Sequence, residues 1–164
     1  AMVSGSRLLP GEKAIAYAKT LGGKPQALVI GSDIVTNAEQ AAHVNGMLAH
    51  ADETDDSHAP SLSHPGCAVV PAAMAMGERE KASGTQLLRA VALGYDLCAR
   101  INLSLHPYDF RQAGHSTHSF GPSFGAAAAA SLLAGLDYKG MRHALSYTAQ
   151  QCSGISCWMR DEEH

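Results

Sequence analysis

The sequence predicts an all-α fold, and three observations support this. Apolar residues recur at helical spacing in several segments. A β-like run occurs only at residues 26–31. Residues 124–136 (FGAAAAASLLAGL) carry an almost all-Ala face, and Ala combines high helix propensity with little bulk, so another helix can approach closely. We therefore expect a helical bundle with a buried central helix, forming a single domain over residues 1–164.

Start and stop signals divide the chain into elements. Pro10 and Pro65 suit the first turn of a helix, and Asn37 and Asp137 can cap one. Residues 106–123 are rich in Gly, Pro and Ser, so we expect an irregular loop there. The predicted helices are 10–21, 37–50, 65–81, 85–104, 124–136 and 137–152.

Composition argues against several classes of partner. The net charge is −3 and the twelve basic residues are spread thinly, so we expect no binding to nucleic acid or to an anionic membrane surface. The longest apolar stretch, 124–136, is too short to cross a bilayer, and the N-terminal sequence does not resemble a signal peptide, which together predict a cytoplasmic protein. With only 16% charged residues, part of the surface is expected to be covered by a partner.

The four cysteines form no CxxC pair, so neither a zinc ribbon nor an iron–sulfur site is predicted. We expect free, buried thiols. They are Cys67, Cys98, Cys152 and Cys157.

The most polar segment is 50–66 (HADETDDSHAPSLSHPG), which holds three histidines and four carboxylates between apolar, helix-like flanks. Carboxylates are costly to bury without partners, so we expect this segment where two helices meet, at the floor of a pocket. Its side chains could instead form a solvated acidic loop without chemistry. A third possibility is a metal site, although no HExxH or closed tetrahedral pattern occurs and we expect no metal. Its potential ligands are His50, Asp52, Glu53, Asp55, Asp56, His58 and His64.

Acid/base chemistry on a carboxylate substrate is the competing interpretation. His64 and His115 lie in Gly/Pro-rich segments next to predicted helix starts, where backbone N–H groups can receive an anion. Imidazoles suit proton transfer near neutral pH. A Ser/His/Asp hydrolase is disfavoured because no GxSxG motif occurs. His43 and His143 are expected to be structural, and His106 could be either.

Four ordered motifs extend these observations: NGMLAHADETDDSH, HPGCAVVPAAMAMGE, SGTQLLRAVALGYDLCAR and GHSTHSFGPSFGAAAAASLLAGL. Together they strongly resemble the MmgE/PrpD family, which includes 2-methylcitrate dehydratase, cis-aconitate decarboxylase and iminodisuccinate epimerase. The similarity runs from about Gly22 to Ser156. It implies part of the family's large helical domain without the lid domain, a homodimer and no cofactor. The family's catalytic lysine is expected beyond His164, and a further histidine on the lid.

The resemblance also implies site residues. An H-x-x-[DE]-x-D-D-[ST] motif starts at His50; this chain has Glu53 where Asp is commoner and Ser57 where Thr is commoner, and Asp52 is an alternative acid if the register differs by one. The histidine of an HP[SG] motif is His64. The implied catalytic residues are His64, His115, Glu53 and Ser57, and the implied substrate-binding residues are Asp55, Asp56, Thr117 and His50.

The implied activity is that of a lyase acting on a small di- or tricarboxylic acid, most simply a hydro-lyase similar to 2-methylcitrate dehydratase. A base drawn from His64 or His115 would take the proton next to a carboxylate. The same first step serves epimerisation, and a related site can decarboxylate. A further alternative is a catalytically incomplete helical fragment that binds a carboxylate or depends on a partner chain.

Overall fold

The computed structural model describes residues 1–160 and is built mainly from helices, which confirms the all-α prediction. A single 3₁₀ turn at Ala59–Ser61 interrupts the polar segment, and another covers Cys157–Arg160. The α-helices are α1 (Met2–Gly5), α2 (Leu9–Leu21), α3 (Ala38–His50), α4 (Gly66–Glu80), α5 (Gly84–Ser104), α6 (Pro107–Gln112), α7 (Thr117–Leu133) and α8 (Tyr138–Gln151).

The β-like run contributes only a two-residue strand, β1 (Ala27–Leu28), which pairs antiparallel with β2 (Val35–Thr36). Asn45 on α3 supports this hairpin, because its side chain accepts from the Ile30 N–H and donates to the Leu28 carbonyl. The hairpin therefore packs as an attachment to α3 and leaves the helices to form the core.

The central helix expected from the Ala-rich stretch is α7, which packs against α4, α5, α6 and α8. At its crossing with α5, a Cβ on Gly94 would lie 2.9 Å from the Gly125 carbonyl oxygen and 2.5 Å from Val69 on α4. Three helices thus meet at a point where two of them have no side chain. Small residues set the close approach.

The prediction of an irregular loop at 106–123 is wrong over most of its length. Pro107 opens α6, where its missing N–H would have had no helical partner, and α7 begins at Thr117. Gly121 is buried inside α7, and a side chain does not fit there, because a Cβ would lie 2.5 Å from the Cys98 carbonyl oxygen on α5. The Gly and Pro content of this segment reflects close helix packing as well as turns.

Asn102 on α5 anchors the polar segment to α7. It is fully buried; its amide donates to the carbonyls of Ser61 and Thr117, at 3.1 and 2.8 Å, and accepts from the Gly121 N–H at 2.8 Å. Through this one side chain the loop before α4 and the first turn of α7 are held together. Among the described residues, no helix combines the length and apolar character that a membrane span requires.

Candidate functional site

An open cavity of about 510 Å³ lies between α3, α4 and α7. Four histidines line it, and the described lining contains no carboxylate. We call it the histidine cavity. Its other walls are mainly Ala and Gly, so the imidazoles and one thiol supply most of its chemistry. Its polar lining residues are His43 and His50 from α3, His64, Cys67 from α4, and His118 from α7.

His64 is held in one tautomer by the backbone. Its Nδ1 lies 2.6 Å from the Asp56 carbonyl oxygen, and because a carbonyl only accepts, Nδ1 must donate. In the neutral ring the free lone pair is then on Nε2, which makes that nitrogen the proton acceptor. The Asp56 carboxylate accepts the Gly66 N–H at 2.7 Å, which ties the same residue to the start of α4.

His118 is a site residue that sequence reasoning missed. Its ring meets His64 edge-on, with centroids 4.7 Å apart, and lies 5.7 Å from the Trp158 ring. Burial is the main cause that lowers its pKa, and the nearby charges of His64 and Arg111 lower it further. The available signal was its place in the motif GHSTHS, three residues after His115, but this becomes informative only once a helix is known to start at Thr117.

His50 is paired with a buried carboxylate. Its Nδ1 lies 3.0 Å from Asp55, whose side chain is only 4% exposed, while its Nε2 is 3.6 Å from the exposed Glu53. Burial, followed by the neighbouring Asp55, raises the pKa of the Cys67 thiol to about 12. The thiol is therefore protonated at neutral pH, and Asp55 orients His50 at the edge of the cavity.

A second cavity of about 490 Å³ lies on the other side of Asp55 and Cys67. We call it the apolar cavity, since its walls are mostly aliphatic. Tyr95 also lines it, and burial and the nearby Asp56 raise the pKa of its hydroxyl. Cys67 lines both cavities and so forms part of the partition between them. The apolar walls include Met2, Val3, Ile30, Val70 and Met74.

Some predicted site residues lie away from the histidine cavity. The exposed His115 ring stacks on Phe110 at 4.7 Å, and its backbone pairs with Ile155. Thr117 is buried, and its hydroxyl donates to the Leu62 carbonyl at 2.6 Å.

The remaining predicted site residues either are exposed on the loop before α4 or hold the histidines in place. Glu53 and Ser57 are exposed on the loop, whereas Asp55 and Asp56 support the histidines. The structure thus brings together His50 and His64 of the predicted set.

Two further expectations are corrected. His43, expected to be a structural residue, is exposed at the cavity, and His143 is exposed on α8. All four cysteines are free, as expected, but Cys98 alone is fully buried and Cys157 is exposed. Helical spacing placed both histidines on apolar faces, and it could not show that neighbouring elements leave those faces open.

Comparison with known proteins agrees with this architecture. The family model of the MmgE/PrpD N-terminal domain matches residues 1–164. Among curated proteins, no sequence matches the chain. Because the family model covers the whole sequence, the chain belongs to the MmgE/PrpD family and corresponds to its N-terminal domain.

Proposed function

We propose that this chain is part of a lyase that removes a proton next to a carboxylate of a small di- or tricarboxylic acid, most simply a hydro-lyase similar to 2-methylcitrate dehydratase. The observation that carries the proposal is the histidine cavity, whose described lining contains four imidazoles and no carboxylate. Such a cavity favours a polyanionic ligand. Membership of a family that contains lyases supports the same reaction class.

His64 is the proposed base. The Asp56 carbonyl fixes its tautomer, so Nε2 presents a lone pair that can accept the proton from the carbon next to a substrate carboxylate. The electron pair left on that carbon expels the hydroxyl group from the neighbouring carbon, and a double bond forms between them. The hydroxyl takes up a proton and leaves as water; the His64 imidazolium formed in the first step supplies that proton, directly or through the neutral His118 ring beside it.

Substrate carboxylates would be received by the other imidazoles of the cavity. The Asp55 carboxylate, 3.0 Å from His50 Nδ1, orients the His50 ring at the edge of the cavity. His43 lies on the same helix, seven residues earlier, and borders the same space. Both groups stand on a helix, which gives the anion site a rigid support.

Proton NMR of the purified chain in deuterated buffer tests the proposal, with citrate, 2-methylcitrate, cis-aconitate and related acids as substrates. We expect exchange of the α-proton, vinyl signals from dehydration, or both. His64→Gln should slow exchange about a hundredfold, as loss of a general base does. His143→Gln, which changes an exposed histidine on α8, is the matched control and should exchange at the wild-type rate.

Unchanged exchange in His64→Gln would refute the assignment of the base. The product separates the related reactions: a new alkene that retains every carboxylate indicates dehydration, loss of CO₂ indicates decarboxylation, and exchange with inverted configuration indicates epimerisation. Absence of exchange with every acid would contradict catalysis by this chain alone.

A further inference from the structure

We propose that His50, Asp55 and Cys67 form a binding site for a divalent transition-metal ion of the Zn²⁺ type. One ligand atom from each of these residues lies within 4.8 Å of the other two. An imidazole nitrogen, a carboxylate oxygen and a thiolate sulfur are the ligand types that Zn²⁺ takes. In a tetrahedral zinc site the ligand atoms stand roughly 3–4 Å apart, so small side-chain movements close this set around an ion.

The three ligands come from separate segments that the fold holds together. His50 is the last residue of α3, Cys67 lies in the first turn of α4, and Asp55 comes from the loop between them. Helices α3 and α4 pack directly, and Gly46 lets them approach, because a Cβ there would lie 3.2 Å from the Cys67 carbonyl oxygen. The Asp55 side chain is buried and already directed at His50. The site is thus largely assembled before an ion arrives.

The site also leaves a coordination position open. His50 and Cys67 border the histidine cavity, and Asp55 and Cys67 border the apolar cavity, so an ion held by the three would lie in the partition. Three protein ligands with one open position are typical of zinc sites that keep an exchangeable water or ligand. On binding, the Cys67 thiol gives its proton to the buffer, and the ion replaces the hydrogen bond between His50 and Asp55.

Sequence reasoning expected no metal because it sought closed ligand patterns. The acidic segment offered His50 and Asp55 among many oxygen and nitrogen donors, whereas Cys67 follows twelve residues later without a cysteine partner. Only the packing of α4 on α3 brings the thiol to the pair. The inference stands apart from the proposed function, because it is tested with the metal alone.

Cobalt(II) titration of the chain, with all thiols kept reduced by a phosphine, is the first test. Binding should produce the near-ultraviolet charge-transfer band of a thiolate–cobalt bond, saturating at one ion per chain. Zn²⁺ should abolish the band by displacing cobalt. Absence of the band at saturating cobalt would overturn the proposal.

Variants identify the ligands. Cys67→Ser should remove the charge-transfer band. His50→Gln should weaken cobalt binding at least about tenfold, because loss of even a residue that only hydrogen-bonds a metal ligand lowers metal affinity by about that factor. Cys157→Ser changes an exposed thiol and His143→Gln an exposed imidazole, so both controls should bind cobalt as the wild type does. A band that survives in Cys67→Ser would contradict the site.

A measurement on the unmodified chain covers the case in which a variant fails to fold. Alkylation by iodoacetamide, followed residue by residue with mass spectrometry, should slow at Cys67 when Zn²⁺ is present. The exposed Cys157 should react at the same rate with and without the ion. Equal protection of both thiols, or of neither, would overturn the proposed site.

Discussion

The four imidazoles of the histidine cavity have different neighbours. Burial lowers the pKa of His118, and the charges of three neighbours lower it further: His64 before α4, Arg111 on α6 and His50 at the end of α3. Asp55 acts in the opposite direction and raises it, but as the smallest of these effects. His118 is therefore neutral at pH 7, and its free ring nitrogen can accept a proton from a neighbour.

The lowered pKa of His118 makes folding stability depend on pH. The ordinary value is 6.5, so between that value and the lower folded one the unfolded chain binds a proton that the folded chain does not. The part of the free energy of unfolding that depends on a neutral His118 is fully present above about pH 6.5, and it is lost as the pH falls through the folded pKa. His118→Gln should therefore lose less free energy of unfolding than the wild type between about pH 7 and pH 5, as urea denaturation can measure.

His143→Gln is the control for this experiment, because its imidazole is exposed on α8. It should follow the wild-type curve. Equal pH dependence in His118→Gln and the wild type would contradict the lowered pKa of His118.

Residue types predicted about half of the candidate site. His50, His64 and the carboxylates that support them were found because polar groups concentrate between two apolar flanks. His118 and Cys67 were not, since their contribution depends on how α7 and α4 pack against α3. A sequence pattern reports what a residue can do, and tertiary contacts decide where it does so.

At the scale of elements, the crossing of α5 and α7 fixes the geometry of the site. Gly94 and Gly125 face one another there, and α7 continues from this crossing to the turn that carries His118. A change in the spacing of the two helices would therefore move one wall of the histidine cavity.

Gly94→Ala tests this crossing. The new methyl group would overlap Val69 and press on the Gly125 carbonyl, at a cost of about 1–3 kcal/mol that exceeds the gain of up to about 1 kcal/mol in helix propensity. We expect a net loss of about 1–2 kcal/mol in the free energy of unfolding. Gly84→Ala, at the start of the same helix with open space around it, should be neutral or stabilising. Equal effects of the two substitutions in urea denaturation would contradict close packing at the crossing.

The elements were more predictable than their contacts. Caps at Asn37 and Asp137 behave as expected, each accepting a backbone N–H in the first turn of its helix. The segment 106–123 was wrongly predicted to be a loop, because Gly and Pro commonly interrupt helices. In the structure Pro107 starts a helix, and Gly121 is a contact surface for α5.

The whole molecule carries a net charge of −3, yet the described lining of the histidine cavity has no carboxylate. Anion binding must therefore rely on short-range donors in the cavity, since the overall charge repels an anion. This distribution leads to a prediction about ligand-induced stability.

Propane-1,2,3-tricarboxylate, which has no hydroxyl group to lose, should stabilise the chain without reacting. At a concentration of about 100 Kd, binding contributes about 2.7 kcal/mol, a rise in melting temperature of about 5–10 °C by calorimetry. The uncharged triamide of the same acid should cause no rise. His64→Gln should reduce the effect and His143→Gln should retain it; stabilisation by acid and triamide alike would argue against a site selective for anions.

Two helices that line the histidine cavity contain a proline near their beginning, Pro71 in α4 and Pro122 in α7. Proline has no N–H, so the carbonyls four residues earlier, those of Cys67 and His118, lose their usual donor within the helix. Cys67 and His118 both line the cavity. Each of these turns therefore lacks one intrahelical hydrogen bond, and tilting it costs less energy than tilting a turn held by the full set.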